Sequence, residues 1–211
     1  MGLPALTFKP VLNIIAFTFL ILISNTANAS QKMLIWGDSL SAAYGIPIEK
    51  GWVNLMRKKL GNEIEIINGS ISGETTRGGL TRLPKALKTH KPNYVVLALG
   101  ANDGLRGLPP SLTKNNLKKM IEQAQKTDAK VILLGMKIPP NYGVAYSQKF
   151  EALFSELAKE HQLPFIPFFM ESIIENLSLF QEDELHPTAE AQPLLLSAIL
   201  PTLTQTLIKN Q

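Results

Sequence analysis

The sequence contains no cysteine, so no disulfide can staple the fold and no lipid can be attached through a thiol. It also lacks a long hydrophobic run. The most apolar stretch, Val11 to Ile23, is about 13 residues long, where a membrane-spanning helix needs roughly 17 to 25. No internal repeat or low-complexity tract is present, and no basic cluster is longer than Arg57-Lys58-Lys59. The net charge of +4 and pI near 9.2 come from lysines and arginines interleaved with acids, which argues against a nucleic-acid surface. Histidine is scarce, with three in 211 residues, and that scarcity makes elimination possible.

What is present, 45% hydrophobic and 18% charged residues, is the composition of a globular protein. The first 29 residues stand apart: one base (Lys9), no acid, the apolar run, then Ala27-Asn28-Ala29. This is the layout of a secretory signal peptide, with cleavage expected between Ala29 and Ser30. The competing reading is an uncleaved anchor, but no basic stop-transfer cluster follows. Myristoylation is disfavoured because Leu6 stands where that signal has Ser or Thr. Cleavage leaves 182 of the 211 residues, read as one domain (30–211) in the periplasm or outside the cell, with no membrane anchor. A monomer is expected.

Short Ile/Val/Leu-rich runs at Met33 to Trp36, Ile64 to Ile67, Tyr94 to Leu99 and Val131 to Gly135 read as buried strands. Between them, Trp52/Leu55/Met56/Leu60, Leu117/Met120/Ile121/Ala124 and Phe150/Leu153/Phe154/Leu157/Ala158 each fit one helical face. Strand–helix alternation of this kind predicts an α/β fold, a parallel sheet covered by helices on both faces. Leu163 to Pro167, flanked by prolines, reads as a fifth strand at an edge. A last helix, Leu194 to Ile208, is expected to break or kink near Pro201. The long irregular segments are expected at Gly100 to Pro110 and Lys137 to Tyr146. Loops at the carboxyl ends of parallel strands are where such folds bind ligands.

Four blocks at those ends carry chemistry: Gly37-Asp38-Ser39-Leu40-Ser41, Asn68 to Thr75, Gly100-Ala101-Asn102-Asp103, and Asp183-Glu184-Leu185-His186-Pro187. Taken singly, each is explained as a turn or a helix cap. Together they supply every part of nucleophilic acyl transfer. Ser39 sits at a strand-to-helix turn, and Asp183 lies three residues before His186, within reach of one ring nitrogen. Gly73 permits close backbone approach and an N–H donor, and Asn102 offers an amide. His90 and His161 end helices and lack a carboxylate at this spacing, which leaves His186 as the base. Asp38 and Asp103 are read as loop-holding groups, and no metal or cofactor is expected.

The blocks, together with Gly100 to Gly107, Pro140 to Gly143 and Pro167 to Glu171, resemble the SGNH hydrolases, also called the GDSL esterase/lipase family. Within it, they are similar to the multifunctional periplasmic thioesterase/lysophospholipase/arylesterase branch. The resemblance implies Ser39 as nucleophile, His186 as general base and Asp183 as its orienter. It implies an oxyanion hole of the Ser39 and Gly73 backbone N–H groups and the Asn102 side chain. It further implies a three-layer α/β/α, flavodoxin-like sheet of order 2-1-3-4-5, and an acyl groove beside the two loops. Leu105, Leu108 and Ile138 are candidate lining, with Pro139, Pro140 and Tyr142 as stiffening and contact residues. Small-molecule acyl esters, thioesters or lysophospholipids are the expected substrates. Two positions depart from the pattern: Ala101, where glycine is common, and Trp36, whose large ring could alter packing or the acyl pocket. Alternatives are a carbohydrate O-acetyl esterase of the same family and, from the residues, a Mg²⁺-dependent phosphatase or phosphotransfer domain and a non-enzymatic periplasmic small-ligand or carbohydrate-binding module.

Overall fold

A computed structural model describes residues 1–2 and 31–208; the expected signal segment lies outside the described residues, apart from its first two. Five strands, β1 (Gln31–Gly37), β2 (Ile64–Asn68), β3 (Tyr94–Ala98), β4 (Lys130–Leu134) and β5 (Phe165–Ile166), form one parallel sheet of order β2-β1-β3-β4-β5. β3 is buried along its whole length and β4 everywhere but Lys130, as continuous apolar runs require when helices cover both faces. The helices are α1 (Ser39–Ala42), α2 (Trp52–Leu60), α3 (Thr76–His90), α4 (Ala101–Leu105), α5 (Pro110–Gln125), α6 (Val144–Glu160) and α7 (Gln192–Ile208).

The strand order follows from crossover handedness. The chain leaves β1 in one direction to make β2, then returns across β1 to β3 and continues to β4 and β5. Right-handed crossovers then put α2 on one face and α3, α5 and α6 on the other. Packing agrees: α3 meets α5 and α5 meets α6, while α2 meets α7. The reversal leaves a crevice beyond the carboxyl ends of β1 and β3, where Gly37 is paired with Ala98.

Three expectations need correction. Residues 101–105 form α4 rather than an irregular loop, and Pro140–Tyr142 form a 3₁₀ turn, with α6 beginning at Val144. Residues 167–191, between β5 and α7, form a long segment that is irregular except for a 3₁₀ turn at Leu177–Leu179 and an antiparallel bridge between Phe180 and Pro187. The last helix runs unbroken through Pro201. Ser197, whose carbonyl Pro201 cannot bond, is exposed, as is Pro201 itself, so the unpaired group lies on the solvent side.

Trp36 packs against α3 and does not line the acyl cavity described below. Its Nε1 donates to the Gly79 carbonyl at 3.2 Å, and the Arg82 guanidinium lies 4.2 Å from its ring centroid. A Cβ at Gly69 would fall 2.7 Å from the indole, so the large ring fits because residue 69 has no side chain.

Trp52 joins the elements on the opposite face. It is fully buried; its Nε1 donates to the Leu40 carbonyl at 3.1 Å, its N–H donates to Gln192 Oε1 at 3.0 Å, and its ring meets Phe169 edge-on. Trp52→Phe keeps an aromatic ring but strands the Leu40 carbonyl. It should cost about 1–3 kcal/mol, read by urea denaturation; unchanged stability would show that this bond does not hold α1 to α2.

Candidate active site

β1 delivers the Ser39 block. Gly37 ends the strand, and a Cβ there would meet Ser41 Oγ at 2.7 Å and Ser70 Oγ at 3.1 Å, so the close turn requires glycine. Asp38 caps α1: its Oδ1 accepts the Leu40 N–H at 3.1 Å. Ser39 is therefore the first residue of a helix, only 8% exposed, with its hydroxyl turned to the crevice.

The histidine block arrives from the far end of the chain. His186 Nε2 lies 2.8 Å from Ser39 Oγ, although the residues are 147 positions apart. On the other side of the ring, Nδ1 lies 2.5 Å from Asp183 Oδ2. Asp183 Oδ1 also accepts the backbone N–H groups of Leu185 (3.0 Å) and His186 (2.9 Å). The tight loop needs Glu184 in the left-handed region, at φ 55°. The Tyr44 ring lies against the imidazole, a neighbour that the sequence reading did not identify.

The remaining two blocks are tied to each other. Asn102 stands in the first turn of α4, and its Nδ2 donates to Asp38 Oδ2 at 3.4 Å. Asp103, fully buried, accepts the Thr76 N–H at 2.8 Å and the Thr76 hydroxyl at 2.5 Å, and Asn116 donates to the same hydroxyl. Arg106 Nη2 donates to the Gly73 carbonyl at 3.1 Å, and Gly73 has the positive φ of 75° that glycine permits. These ties fix the Asn102 block against the Gly73 block. Asp38 and Asp103 thus hold loops, as read from the sequence. Among the described residues, no cluster of three or more His, Asp or Glu side chains could hold a metal ion.

A cavity of about 530 Å³ opens at Ser39 and His186. Of the residues expected to contact substrate, Leu105, Ile138 and Pro139 line it, and Pro140 joins them. Leu108 and Tyr142 do not: the Leu108 carbonyl is held by the Tyr146 hydroxyl at 2.7 Å, and Tyr142 is exposed on its 3₁₀ turn. Phe168, Met170, Ile174 and Phe180 also line it; they come from the irregular segment after β5, of which the sequence reading used only Pro167 to Glu171, as part of the family resemblance and not as cavity lining. Its available signal was the apolar triplet Phe168-Phe169-Met170 directly after the fifth strand. A second depression of about 600 Å³, between Lys59 and Ile208, is lined among the described residues by no imidazole, carboxylate or thiol.

Comparison with known proteins agrees with this geometry. A family model described as the GDSL-like lipase/acylhydrolase family matches residues 35–193. The chain belongs to that family. This acylhydrolase is 41% identical over 198 residues to an arylesterase of Vibrio mimicus, covering 92% of this chain and 99% of the relative. It is 40% identical over 179 residues to thioesterase 1/protease 1/lysophospholipase L1 of Escherichia coli K12, covering 85% and 86% respectively. The solved structure of a psychrotrophic esterase from a Pseudoalteromonas species, inhibited by monoethylphosphonate, is similar with a TM-score of 0.80. It is 40% identical to this chain and covers 84% of it, and 98% of the solved chain is matched.

Two aspartates of the acylhydrolase are shifted in opposite directions. Burial, the largest single influence, would raise Asp183, but hydrogen bonds from the His186 N–H, its ring and the Leu185 N–H together bring the carboxyl down to about 2. Burial dominates at Asp38, and the Leu40 N–H, His186 and Asn102 offset it only in part, leaving this acid at about 6 instead of 3.8. The fold therefore binds the Asp38 proton more tightly than the unfolded chain does. That contribution to stability is full below about 3.8 and lost as pH rises through about 6. Asp38→Asn retains an acceptor for the Leu40 N–H but cannot ionise. Relative to wild type, the variant should melt progressively higher as pH rises from about 4 to 7; parallel melting curves would contradict the assignment.

Proposed function

We propose that this acylhydrolase cleaves fatty-acyl carboxylic esters and thioesters through an acyl-Ser39 intermediate. The observation that carries the reading is the run of contacts Asp183 to His186 to Ser39, at 2.5 Å and 2.8 Å, at the head of an apolar cavity. As Ser39 Oγ bonds the acyl carbon, its proton passes to His186 Nε2, which then gives it to the leaving alcohol or thiol. Water repeats the sequence and releases the acid. Asp183 holds the Nδ1 proton and stabilises the imidazolium without taking up that proton.

The developing oxyanion is assigned to the backbone N–H groups of Ser39 and Gly73 and the Asn102 amide. Supporting this, Ser39 heads α1, and the ties through Asp103 and Arg106 brace the other two donors. The acyl chain is assigned to the cavity wall of Leu105, Ile138, Pro139, Phe168, Met170 and Ile174. That apolar lining favours alkyl chains over acetylated sugars. The names of these relatives, arylesterase and thioesterase 1/protease 1/lysophospholipase L1, support the same substrate range.

Residues 1–29 are assigned as a cleaved secretion signal and 30–211 as a monomeric unit in the periplasm or outside the cell. Among the described residues, no helix is long and apolar enough to cross a membrane. Intact mass of the mature protein should place its first residue at Ser30.

With a p-nitrophenyl ester series from acetate to palmitate in EDTA, wild type should turn over and Ser39→Ala should not. Asn102→Ala should lower kcat by about 10² to 10³. A loss below about threefold would remove Asn102 from the oxyanion site.

A further inference from the structure

The two hydrogen bonds to His186 lie on opposite sides of its ring, so they leave the imidazole free to rock about the line joining its nitrogens. A contact on the ring face would stop that motion, and Tyr44 provides one: the ring centroids are 4.4 Å apart and the planes are inclined by 39°. Local backbone explains how Tyr44 gets there. Ala43, in the left-handed region at φ 59°, ends α1 and turns the chain back toward the histidine loop.

Both rings hang on one residue. Gln181 Nε2 donates to the Tyr44 carbonyl at 2.9 Å and to the Pro187 carbonyl at 3.1 Å, while the Gln181 N–H donates to the His186 carbonyl at 2.8 Å. Gly45 makes room for the bracket: a Cβ there would fall 2.1 Å from Gln181 Oε1. The segment after the nucleophile helix and the segment carrying the base are thus clamped together independently of the Ser39–His186 bond.

We propose that Tyr44 is a positioning residue, whose ring face keeps the His186 imidazole in line with Ser39 and favours the imidazolium formed during proton transfer. The inference rests on the serine hydrolase reading above. An aromatic face attracts a cation more strongly than a neutral ring. The contact is therefore stronger once the Ser39 proton has moved to Nε2 than before, which is the condition for accelerating the chemical step. Tyr44 exchanges no atoms; the proton moves only between Ser39 and His186. The other ionisable groups on this side are Asp183 at Nδ1, Asp38 before α1, and Glu184, which lines the cavity from the histidine's own loop.

Tyr44→Leu, Tyr44→Phe and Gln181→Ala, assayed beside Ser39→Ala on p-nitrophenyl butyrate, test the proposal. Tyr44 is 50% exposed, and melting curves verify that the variants fold. Tyr44→Leu should lower kcat by about two- to fivefold with KM little changed. It should also move the acid-side midpoint of the kcat/KM profile to lower pH, because the imidazolium loses its partner. Tyr44→Phe, which keeps the face, should restore both, and Gln181→Ala should shift both in the direction of the leucine variant. The proposal is overturned if Tyr44→Leu behaves as wild type, if kcat falls while the midpoint stays, or if phenylalanine fails to rescue. Activity surviving in Ser39→Ala would instead remove the hydrolase reading itself.

Discussion

The 2.8 Å contact between Ser39 Oγ and His186 Nε2 is the constraint on which the rest of the structure depends. It joins the end of the first strand to a loop that is completed only after the last strand, so it exists only if the whole sheet assembles in the right order. The order β2-β1-β3-β4-β5 meets that demand by placing β1 inside the sheet, with a crevice where the chain reverses direction. Each neighbouring strand then adds one part: β2 leads to Gly73, β3 to Asn102, β4 to the Ile138 wall, and β5 to the Phe168 wall and the histidine loop. The sheet itself does no chemistry. It aims loops that have no other reason to meet.

Around that contact the loops are stiffened by hydrogen bonds. Asp38 caps α1, Asp103 grips Thr76, Arg106 grips Gly73, and Gln181 joins the Tyr44 and His186 segments. Donors fixed before the reaction need no reorganisation as charge develops, which is why such bracing matters for acyl transfer. The opposite shifts of Asp38 and Asp183 show how placement decides the role of a carboxylate. One is sunk beneath the turn, where burial outweighs its hydrogen bonds and raises it to about 6; the other, in a loop of backbone donors, is brought down to about 2 and remains an anion beside the imidazole.

Much of this was legible in the sequence because its signals are local. Apolar runs marked four of the strands, helix periods marked α2, α5 and α6, and the Asp183/His186 spacing is close enough to imply their pairing. The placement of Ser39 against His186 is not local; the order of the blocks and their resemblance to a family suggested it. What stayed hidden depends on tertiary packing. Trp36 turned toward α3 because Gly69 and Gly79 leave space there, and Pro201 stayed helical because the lost bond faces water. The Phe168–Phe180 wall carries no periodic pattern, since its residues are held by the cavity they enclose and not by an element of their own. Tyr44 carries no local signal; only the fold brings His186 against it.

The central claim is that Ser39, activated by His186, is the nucleophile. The most direct measurement treats the enzyme with an ethyl p-nitrophenyl phosphonate and follows released nitrophenol, residual activity and the labelled peptide by mass spectrometry. The account predicts one equivalent of label, on Ser39, in step with complete loss of esterase activity, and labelling that slows sharply in His186→Ala. Inactivation with the label on another residue, or full activity after Ser39 is labelled, would contradict it.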